Sequence, residues 1–477
     1  MSSNKSNKST SPSRRSFIKG LGAAGAMVSI ATVPMVNATT TKQQTGYDVI
    51  VLGGGFAGVT AARDLSQAGK KVLLLEARNR LGGRTFTSEF AGKQIELGGT
   101  WIHWTQPHIW AEVTRYDMAL TESEGAIPEK AVWSQNGKLA EGSPEKQWEV
   151  FLSSSQKFSG EYARNLYPRP WDPYHVPELM KLDHMSAADR IDEIRNQLSD
   201  DEYQMLNAFM TLNCHNDPST SAFVEMLRWD SLGGYDMGRL MDAAAHYKLK
   251  DGTIGLINKM LEDSNVDVRT NTPVYRVEQS DKGVRVFTED DEIFTAKACI
   301  SALPINVLDD IEFEPSLNNA KQQLSKDEHT GKGVKLYIHV KGESKKFGAF
   351  ATKDHPIQFI FTEKLLKQDE QIMIAFGTGK GMDANNNDSI EKVVQEFLPD
   401  AKVVEAFGYD WTLDPFSRGT WATLRPGHIS NYLQDAQKPE GRCYFAGGDI
   451  ANGWRGFIDG AIESGAHAAQ QLIDDLG

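Results

Sequence analysis

The segment from Tyr47 to Glu76 constrains the fold of this chain of 477 residues more than any other. An apolar run at 47–52 predicts a buried strand, and a Gly-x-Gly-x-x-Gly pattern, a helical stretch at 59–67 and a second apolar run at 71–75 follow it. The glycines of the pattern are Gly53, Gly55 and Gly58. In such a strand–helix–strand unit they permit a tight turn, close approach to a pyrophosphate and close helix packing, while the final acid binds a ribose hydroxyl. The segment therefore predicts a dinucleotide site.

A second glycine-rich turn lies near the C-terminus. A strand pattern at 442–446 leads into Gly447-Gly448-Asp449, and a further glycine-rich stretch at 453–461 opens a helix. The arginines around a Gly-Gly pair at 78–84 add guanidinium groups to the first site. A plain nicotinamide dinucleotide needs neither feature. Two matched turns about 390 residues apart predict one long ligand with a second ring system, held from both ends.

Composition excludes several classes of function. Hydrophobic residues make up 40% and charged residues 24% of the chain, as in a packed globular protein, and the length of 477 residues suggests two or more domains. The formal net charge of −13 argues against binding to nucleic acid and to anionic membranes. The three cysteines, Cys214, Cys299 and Cys443, form no Cys-x-x-Cys pair, and no His-Glu-x-x-His pattern occurs. We therefore expect no disulfide framework, no attached haem and no metal site.

The N-terminus has the features of an export signal. Ser13-Arg14-Arg15-Ser16-Phe17 is a twin-arginine pattern, and a weakly apolar run at 20–36 follows it. Val36-Asn37-Ala38 then provides small residues where a signal peptidase would cut. We predict a twin-arginine signal peptide at 1–38, a linker at 39–46 and a periplasmic or secreted mature protein. Its net charge becomes −18, because the signal removes five basic residues and no acidic one. A membrane anchor or a disordered basic tail is the alternative, but the apolar run is too short to span a bilayer comfortably.

Several strings of the chain resemble the flavin monoamine oxidase family. They are Glu76-Ala77-Arg78, Arg80-Leu81-Gly82-Gly83-Arg84, Gly98-Gly99-Thr100-Trp101 and Phe445-Ala446-Gly447-Gly448-Asp449. The similarity covers nearly everything from Tyr47 to the C-terminus. Strings at 101–108, 410–417 and 451–460 resemble the branch of bacterial nicotine oxidoreductases and pseudooxynicotine amine oxidases, which is also exported by twin-arginine signals. The resemblance implies that the long ligand is FAD.

The resemblance and the hydrophobic patterns predict an α/β fold with two interleaved parts. We expect a Rossmann-like FAD-binding domain of the GR2 flavoprotein type, made of residues 47–100, 246–305 and 418–477. We expect an inserted α+β substrate-binding domain in two pieces, 101–245 and 306–417. The first piece is rich in helical patterns, such as 202–212, and the second contains strand patterns, such as 334–340.

The glycine pattern and the resemblance assign a set of cofactor-binding residues. They are Gly53, Gly55, Gly58, Glu76, Arg78, Arg84, Gly98, Gly99, Thr100, Val274, Gly448 and Asp449. The resemblance implies that the backbone of Val274 contacts the adenine, and Asp449 is suited to hold a polyol hydroxyl. In the animal enzymes of the family a cysteine tethers the flavin, whereas Thr420 stands at that position here. We therefore expect non-covalent FAD.

Oxidation of an amine by a flavin needs orientation and a suitable electrostatic environment, because the cofactor carries the electron chemistry. The resemblance implies that Lys335 holds a water near flavin N5 and that Trp421 and Phe457 are the walls of an aromatic cage. The animal enzymes use two tyrosines there, so both hydroxyls are lost in this chain. We expect His103 and Trp104 to line the floor of the substrate pocket. A dry aromatic pocket lowers the pKa of the amine and keeps it neutral.

These observations predict FAD-dependent oxidative deamination of a primary or secondary amine that is aromatic, alkyl or nicotine-related. Hydride transfer to flavin N5 gives an imine that hydrolyses, and the electrons pass to O2 or to a periplasmic carrier. We expect a small-molecule substrate and, as is frequent in the family, a homodimer. An L-amino-acid oxidase is an alternative, with Arg228 or Arg425 as partner of the substrate carboxylate. A nicotinamide dehydrogenase is a further alternative, disfavoured by the second glycine-rich turn. A non-catalytic flavin-binding protein is another, disfavoured by the intact Lys335 and aromatic pair.

Overall fold

The computed structural model describes residues 43–44 and 46–476, and the predicted signal peptide at 1–38 lies outside these residues. The strands, in chain order, are β1 (Gln43–Gln44), β2 (Val49–Leu52), β3 (Val72–Leu75), β4 (Thr87–Phe90), β5 (Lys93–Glu96), β6 (Leu120–Glu122), β7 (Lys130–Gln135), β8 (Lys138–Gly142), β9 (Tyr247–Leu249), β10 (Asp267–Arg269), β11 (Val274–Ser280), β12 (Gly283–Thr288), β13 (Ile293–Ala296), β14 (Ala298–Ser301), β15 (Glu312–Glu314), β16 (Val334–Lys341), β17 (Phe347–Phe350), β18 (Phe359–Leu365), β19 (Glu370–Gly377), β20 (Lys402–Gly408) and β21 (Cys443–Phe445). The helices are α1 (Phe56–Gln67), α2 (Pro107–Arg115), α3 (Pro144–Ser159), α4 (Tyr162–Leu166), α5 (Ala187–Glu193), α6 (Asp200–Cys214), α7 (Phe223–Leu232), α8 (Met237–Ala245), α9 (Gly252–Glu262), α10 (Asn319–Asp327), α11 (Asn387–Gln395), α12 (Gln434–Ala436) and α13 (Ile458–Leu476).

A five-stranded parallel sheet contains the strands of the glycine pattern. Its order is β10-β3-β2-β14-β21, and every neighbouring pair is parallel. Because both faces of such a sheet are covered, β2 and β3 are continuous apolar runs with every residue buried. The two glycine-rich turns follow β2 and β21, which flank β14. Both turns therefore emerge at the carboxyl edge of the sheet, where ligands bind in folds of this kind.

Helix α1 packs closely on the glycine-rich turn before it and against α13, and a glycine permits each of these two contacts. A Cβ atom on Gly58 of α1 would lie 1.9 Å from the carbonyl oxygen of Gly53. A Cβ atom on Gly465 of α13 would lie 2.2 Å from the carbonyl oxygen of Ala57. No side chain larger than that of glycine fits at these positions without displacing backbone. The start of α1 is thereby held at the edge of the parallel sheet.

A second sheet has the order β1-β13-β12-β11-β15 and is mixed. Gln43–Gln44, which the sequence assigns to a linker, forms β1 and pairs in parallel with β13. The linker prediction is therefore wrong for these two residues, because their backbone extends the edge of this sheet. Two small pairs, β4 with β5 and β6 with β9, complete the strand pairing of the described residues.

The third sheet has seven strands in the order β20-β16-β19-β18-β17-β7-β8 and is antiparallel except between β17 and β7. Alternate residues of its strands face opposite sides. Leu336 and Ile338 pack with Ile390 of α11 on one side. Lys335 and Phe376 face the other side, where they line a cavity. The domain boundaries stay a prediction, but segments 101–245 and 306–417 both contribute strands to this sheet.

The β7–β8 hairpin is the main element that the helical prediction for 101–245 missed. The signal was present, because Asn136-Gly137 separates the two strands and both residues have positive φ, 49° and 77°. This dipeptide is the preferred sequence of a tight hairpin turn. The predicted fold class, an α/β protein with a Rossmann-like unit and an inserted α+β part, is confirmed. Within residues 46–476 no helix is both long and apolar enough to cross a membrane.

Candidate active site

One continuous cavity connects the carboxyl edge of the parallel sheet with the seven-stranded sheet. Most of the predicted cofactor-binding residues line it: Gly53, Gly55, Glu76, Arg78, Arg84, Gly98, Gly99, Thr100, Val274 and Gly448. The three predicted catalytic residues, Lys335, Trp421 and Phe457, line it as well. The fold therefore brings residues from both ends of the chain and from its middle to one cavity.

At one end of the cavity the carboxylate of Glu76 is fixed by backbone donors. The amide of Gly54 donates to Oε2 at 2.7 Å, and the amide of Arg78 donates to Oε1 at 2.8 Å. Each carboxylate oxygen can accept a further hydrogen bond. Glu76 is thus oriented by the glycine-rich turn and retains acceptor capacity for the hydroxyl groups of a ribose. Val274, the first residue of β11, lines the cavity too.

The N-terminus of α1 faces the cavity without a capping side chain. Gly55 is its N-cap residue and forms no side-chain cap hydrogen bond, and Gly55, Phe56 and Ala57 line the cavity. The first N–H groups of a helix have no partner within the helix, and the helix dipole adds partial positive charge there. This end of α1 therefore suits a pyrophosphate.

Arg84 joins the two glycine-rich turns. Its Nη1 donates to the carbonyl oxygen of Thr420 at 2.9 Å, and its Nη2 forms an ion pair with Asp449. The other oxygen of Asp449 accepts the amide of Ile305 at 3.0 Å. Although burial raises the pKa of Asp449, the charge of Arg84 holds it below its usual value. Asp449 does not line the cavity, so it orients Arg84 instead of facing a polyol hydroxyl as expected.

Lys335 of β16 extends from the seven-stranded sheet to the strip of backbone around Gly98. Its Nζ donates to the carbonyl oxygens of Glu96 at 2.7 Å and Gly98 at 2.6 Å, and to the hydroxyl of Thr100 at 2.6 Å. Burial lowers the pKa of Lys335 to about 7, against the opposing effect of the Glu96 carboxylate. An amine that is buried and directly beside the cavity can therefore change its charge near neutral pH.

An aromatic chamber forms the other end of the cavity. Its aromatic walls are Trp101, Phe209, Trp229, Phe359, Phe361, Phe376, Trp421 and Phe457. Leu212, Leu240, Met241, Ala244 and Ala245 add aliphatic surface. Among the described residues that line the whole cavity, the single carboxylate is Glu76, at the opposite end. The chamber therefore disfavours a charged ammonium group and favours apolar bodies.

The expectation that His103 and Trp104 line this chamber is not met. His103 is fully buried, and its ring nitrogens contact Thr105 at 2.8 Å and Asp242 at 3.0 Å. Trp104 is 51% exposed and packs on His103, with ring centroids 3.7 Å apart. Neither residue lines the cavity, because the chain turns away from it after Trp101. Gly58 also lies off the cavity, in its packing position on Gly53.

The two arginines considered as partners of a substrate carboxylate are engaged elsewhere. Arg228 is fully buried and donates to the carbonyl oxygens of Gly453 at 2.7 Å and Arg455 at 3.2 Å. Arg425 donates to backbone carbonyls, with 2.8 Å to Glu328. Neither lines the cavity. In the described residues the cationic lining is confined to Arg78 and Arg84 beside the glycine turns and to Lys335.

Sequence reasoning missed two polar residues of the chamber, Asn213 and His215. Asn213 lies in the last turn of α6, His215 directly follows the helix, and both line the cavity. The carbonyl oxygen of Asn213 accepts a hydrogen bond from Nε1 of Trp421 at 2.9 Å. His215 stacks on the indole of Trp421. No local motif marks them, because their place in the site depends on a contact across about 200 residues of the chain.

These residues fit FAD along the length of the cavity. Glu76 offers an oriented acceptor at one end, and the uncapped start of α1 offers amide donors for a pyrophosphate. Gly98 permits the strip of backbone that Lys335 contacts to pack closely on the Gly-Gly-Arg turn, since a Cβ on Gly98 would lie 1.9 Å from the carbonyl oxygen of Arg84. Beyond this strip the aromatic chamber begins, so the strip and Lys335 would hold the ring system of FAD beside the chamber.

Comparison with known proteins agrees with this geometry. The family described as flavin containing amine oxidoreductase matches residues 56–473, and the twin-arginine translocation signal matches residues 11–31. The protein is therefore exported by the twin-arginine pathway, as predicted. A pseudooxynicotine dehydrogenase of a Pseudomonas species is 40% identical over 97% of this chain and 96% of its own. A nicotine dehydrogenase of Pseudomonas putida is 39% identical over 96% of this chain and 97% of its own.

Solved structures share the fold. Putrescine oxidase bound to putrescine superimposes with a TM-score of 0.76 at 20% identity, over 91% of this chain and 100% of that one. Cyclohexylamine oxidase from Brevibacterium oxydans gives a TM-score of 0.74 at 22% identity, over 90% and 99%. Because the family match spans most of the chain and one relative is 40% identical over nearly all of it, the protein belongs to the flavin-containing amine oxidoreductase family.

Proposed function

We propose that this flavoenzyme oxidises a small amine with an aromatic, alkyl or nicotine-like body, bound in its neutral form, at a non-covalently held FAD. The observation that carries the proposal is the composition of the cavity. An aromatic chamber opens directly onto the section that fits the flavin, and the carboxylate of Glu76 lies at the far end. Membership of the family supplies the class of reaction, amine oxidation. The substrate class and the roles of individual residues are the proposed part.

The chamber selects the reactive form of the substrate. An ammonium group has no lone pair to assist the loss of hydride from the neighbouring carbon, whereas a neutral amine has one. Desolvation in the aromatic chamber lowers the pKa of the ammonium group, and no carboxylate among the chamber's described residues opposes this effect. The amine therefore releases its proton to solvent on entry.

When bound, FAD supplies the two-electron acceptor for the hydride that leaves the carbon beside nitrogen. Trp421 and Phe457 orient that carbon by confining the amine between two aromatic surfaces. Lys335 donates to backbone around Gly98 and fixes the floor of the section that fits the flavin. The substrate loses one hydride and one proton, and the resulting imine takes up water to give a carbonyl compound and an amine.

The residue before Trp421 supports non-covalent attachment of FAD. Thr420 stands where the animal enzymes carry the tethering cysteine, and a threonine hydroxyl forms no thioether. Cys214, Cys299 and Cys443 are fully buried and none of them lines the cavity. We expect acid precipitation of the protein to release all of its flavin into the supernatant.

The substrate class rests on the chamber and on the two relatives. Their names give pseudooxynicotine and nicotine as substrates of those enzymes. Both molecules combine an aliphatic amine with an aromatic ring, which the chamber's apolar walls can bury. An L-amino-acid oxidase is disfavoured, because neither Arg228 nor Arg425 lines the cavity. Whether the electrons pass to O2 or to a periplasmic carrier is decided by the reoxidation step of the experiment below.

The test is an anaerobic titration of the purified, flavin-loaded protein, followed by its visible absorbance. The panel contains pseudooxynicotine, nicotine, putrescine, benzylamine and the matched pair phenethylamine and L-phenylalanine, which differ by one carboxylate. We expect at least one aromatic-bearing amine to bleach the flavin and L-phenylalanine to leave it oxidised. Bleaching by L-phenylalanine but not by phenethylamine would overturn the proposal in favour of an amino-acid oxidase. Admission of air, compared with addition of a soluble electron carrier, then identifies the acceptor.

A further inference from the structure

His215 stands between Trp421 and Lys335, the two residues on which the proposed function depends most. It follows the last turn of α6 in a left-handed conformation, with φ 49° and ψ 37°. Its side chain is 1% exposed and lines the cavity. A left-handed backbone is uncommon for a residue other than glycine and persists only where the surroundings determine it. Here it ends α6, because the amide of His215 donates to the carbonyl oxygens of Thr211 and Leu212, and this turn places the imidazole in the wall of the cavity.

The imidazole ring of His215 lies flat against the indole of Trp421. The two ring centroids are 4.1 Å apart and the ring planes are inclined by only 3°. The edge of the imidazole abuts the backbone before β16, since a Cβ on Gly333 would lie 2.1 Å from Cδ2 of His215. The ring is thus confined between the indole and the strand that carries Lys335.

Both nitrogens of the imidazole are hydrogen-bonded to backbone or side chain of the site. Nε2 contacts the carbonyl oxygen of Val334 at 3.0 Å, and Nδ1 contacts the hydroxyl of Thr420 at 2.9 Å. Because a carbonyl oxygen only accepts, Nε2 carries the hydrogen and Nδ1 accepts from Thr420. Burial lowers the pKa of His215 to about 4, so this neutral tautomer persists at neutral pH.

The two partners are the direct chain neighbours of the two functional residues. Val334 precedes Lys335, and Thr420 precedes Trp421. One rigid ring therefore contacts the face of Trp421, the backbone beside Lys335 and the residue beside Trp421. Rotation of the indole would break the stack, and separation of β16 from the segment 418–421 would break a hydrogen bond.

We propose that His215 is a positioning residue that fixes the plane of Trp421 relative to Lys335. The inference rests on the proposed function, in which Trp421 confines the amine. A displacement of about 1 Å at a reacting centre can reduce a rate by about 100-fold. Loss of the His215 imidazole should therefore lower the rate of flavin bleaching by a bound amine, beyond any effect on the stability of the protein.

The test separates the stack from the hydrogen bonds. His215→Phe keeps an aromatic face but neither hydrogen bond, and His215→Gln can keep both hydrogen bonds but has no ring. Each is loaded with FAD, mixed anaerobically with the best amine of the panel, and followed for the limiting rate of bleaching and the apparent Kd. We expect both to be slowed about 10-fold or more at saturating amine. His339→Phe, in β16 but off the cavity, is the control and should leave the rate unchanged.

A double-substitution cycle shows whether His215 acts through Trp421. Trp421→Ala should itself slow bleaching, and adding His215→Phe to it should cause no further loss. Unchanged bleaching in Trp421→Ala would overturn the role of Trp421 in the proposed function. Slow bleaching in Trp421→Ala together with an unchanged rate in His215→Phe would overturn the role of His215 and leave that of Trp421 intact. Rate losses that multiply in the double variant would do the same.

A second pair of variants decides the matter if the His215 variants fail to fold. Thr420→Val removes the hydroxyl that donates to Nδ1 and keeps the shape of the side chain, whereas Thr420→Ser keeps the hydroxyl. We expect the valine variant to bleach several-fold more slowly and the serine variant to recover most of the rate. Equal rates in these two variants would contradict the proposal.

Discussion

Arg84 forms an ion pair with Asp449, although 365 residues separate them in the chain. The pair joins the Gly-Gly-Arg turn that follows β3 to the glycine-rich turn that follows β21. Asp449 is 1% exposed, so its charge depends on Arg84 for compensation. The same guanidinium holds the carbonyl oxygen of Thr420 at 2.9 Å. One side chain therefore sets the distance between the two turns and the segment before Trp421.

Arg84→Met should release bound FAD and destabilise the fold, because it leaves the buried carboxylate of Asp449 without a cation. Breaking a buried ion pair by removing one partner costs about 3–5 kcal/mol. The ratio of visible to ultraviolet absorbance and the thermal midpoint measure the two effects. The double variant Arg84→Met/Asp449→Asn should regain stability but not flavin. Arg115→Met is the control and should keep both, because Arg115 is exposed and the buried Glu112, 3.6 Å from it, keeps its bidentate contact with Arg63.

Gly55→Glu should yield colourless protein, whereas Gly55→Ala should retain part of the flavin. The alanine Cβ would meet nothing nearer than the Cα of Gly83 at 3.7 Å, so the fold accommodates it. A glutamate side chain at the uncapped start of α1 places a carboxylate where the phosphates bind. Flavin content after gel filtration with added FAD is the measurement. Yellow Gly55→Glu protein would remove this turn from the cofactor site.

Lys335→Met should abolish a pH dependence of flavin bleaching near neutrality. Burial lowers the pKa of Lys335 to about 7, so its ammonium form dominates below and its neutral form above that pH. A positive charge beside the chamber opposes the positive charge that develops on the substrate as hydride leaves. The limiting rate should therefore rise with pH through about 7 in the native protein and lack this step in the variant. Lys341→Met, at the exposed end of β16, should keep the step.

The parts of the site that a short segment encodes could be predicted from the sequence. The run from β2 to Glu76 contains its own turn glycines, helix start and acid, so local periodicity and spacing were sufficient. The same holds for the glycines after β21. Lys335, Trp421 and Phe457 needed the family resemblance, since a lysine in a strand and single aromatic residues are normal features of any fold.

The aromatic chamber could not be predicted, because its walls come from α6, α7, α8, β18, β19 and the loops of Trp101, Trp421 and Phe457, whose mutual arrangement no local pattern encodes. Phe359 and Phe361 alternate along β18 as core residues do, and only the packed helices show that this face borders a cavity. The prediction that His103 and Trp104 line the chamber was wrong for the converse reason. They lie two and three residues after Trp101, which lines the chamber, but a turn directs them away from it.

Glu225→Gln should destabilise the loop that carries Phe457. Glu225 lies between Arg228 and Arg455, and all three side chains are fully buried. Although burial raises it, the two guanidinium groups hold the pKa of Glu225 at about 2. Both arginines also bind carbonyl oxygens of the segment 451–455, at 2.7 Å to Ala451 and Gly453.

An amide at residue 225 would leave two buried cations without an anion, at a cost of about 3–5 kcal/mol in the free energy of unfolding. Urea unfolding measures this cost, and a weaker apparent Kd for the amine would report the displacement of Phe457. Glu149→Gln removes a carboxylate from an exposed ion pair with Lys146 and should cost less than about 1 kcal/mol. Equal effects of the two substitutions would show that the buried cluster does not hold the loop.

Asp459→Asn should make the protein more stable at pH 8 but not at pH 4. Oδ1 of Asp459 accepts the amides of His108 at 2.7 Å and Ile109 at 2.9 Å, and Oδ2 has no hydrogen-bond donor within the described residues. Burial raises the pKa of Asp459 to about 7, with a further contribution from Glu463. Because this pKa exceeds the ordinary value of an aspartate, about 3.9, the neutral acid stabilises the fold below about pH 4, and that stability is lost as pH rises through about 7. Asparagine cannot ionise and still accepts both amides. The free energy of unfolding of the variant should therefore exceed that of the native protein by an amount that grows from pH 4 to pH 8 and reaches about 2 kcal/mol or more at pH 8. The thermal midpoint, measured across this pH range, should show the same trend. Asp474→Asn, at the exposed end of the same helix, should show no such trend, and a parallel pH dependence of the Asp459 variant and the native protein would contradict a neutral acid at this position.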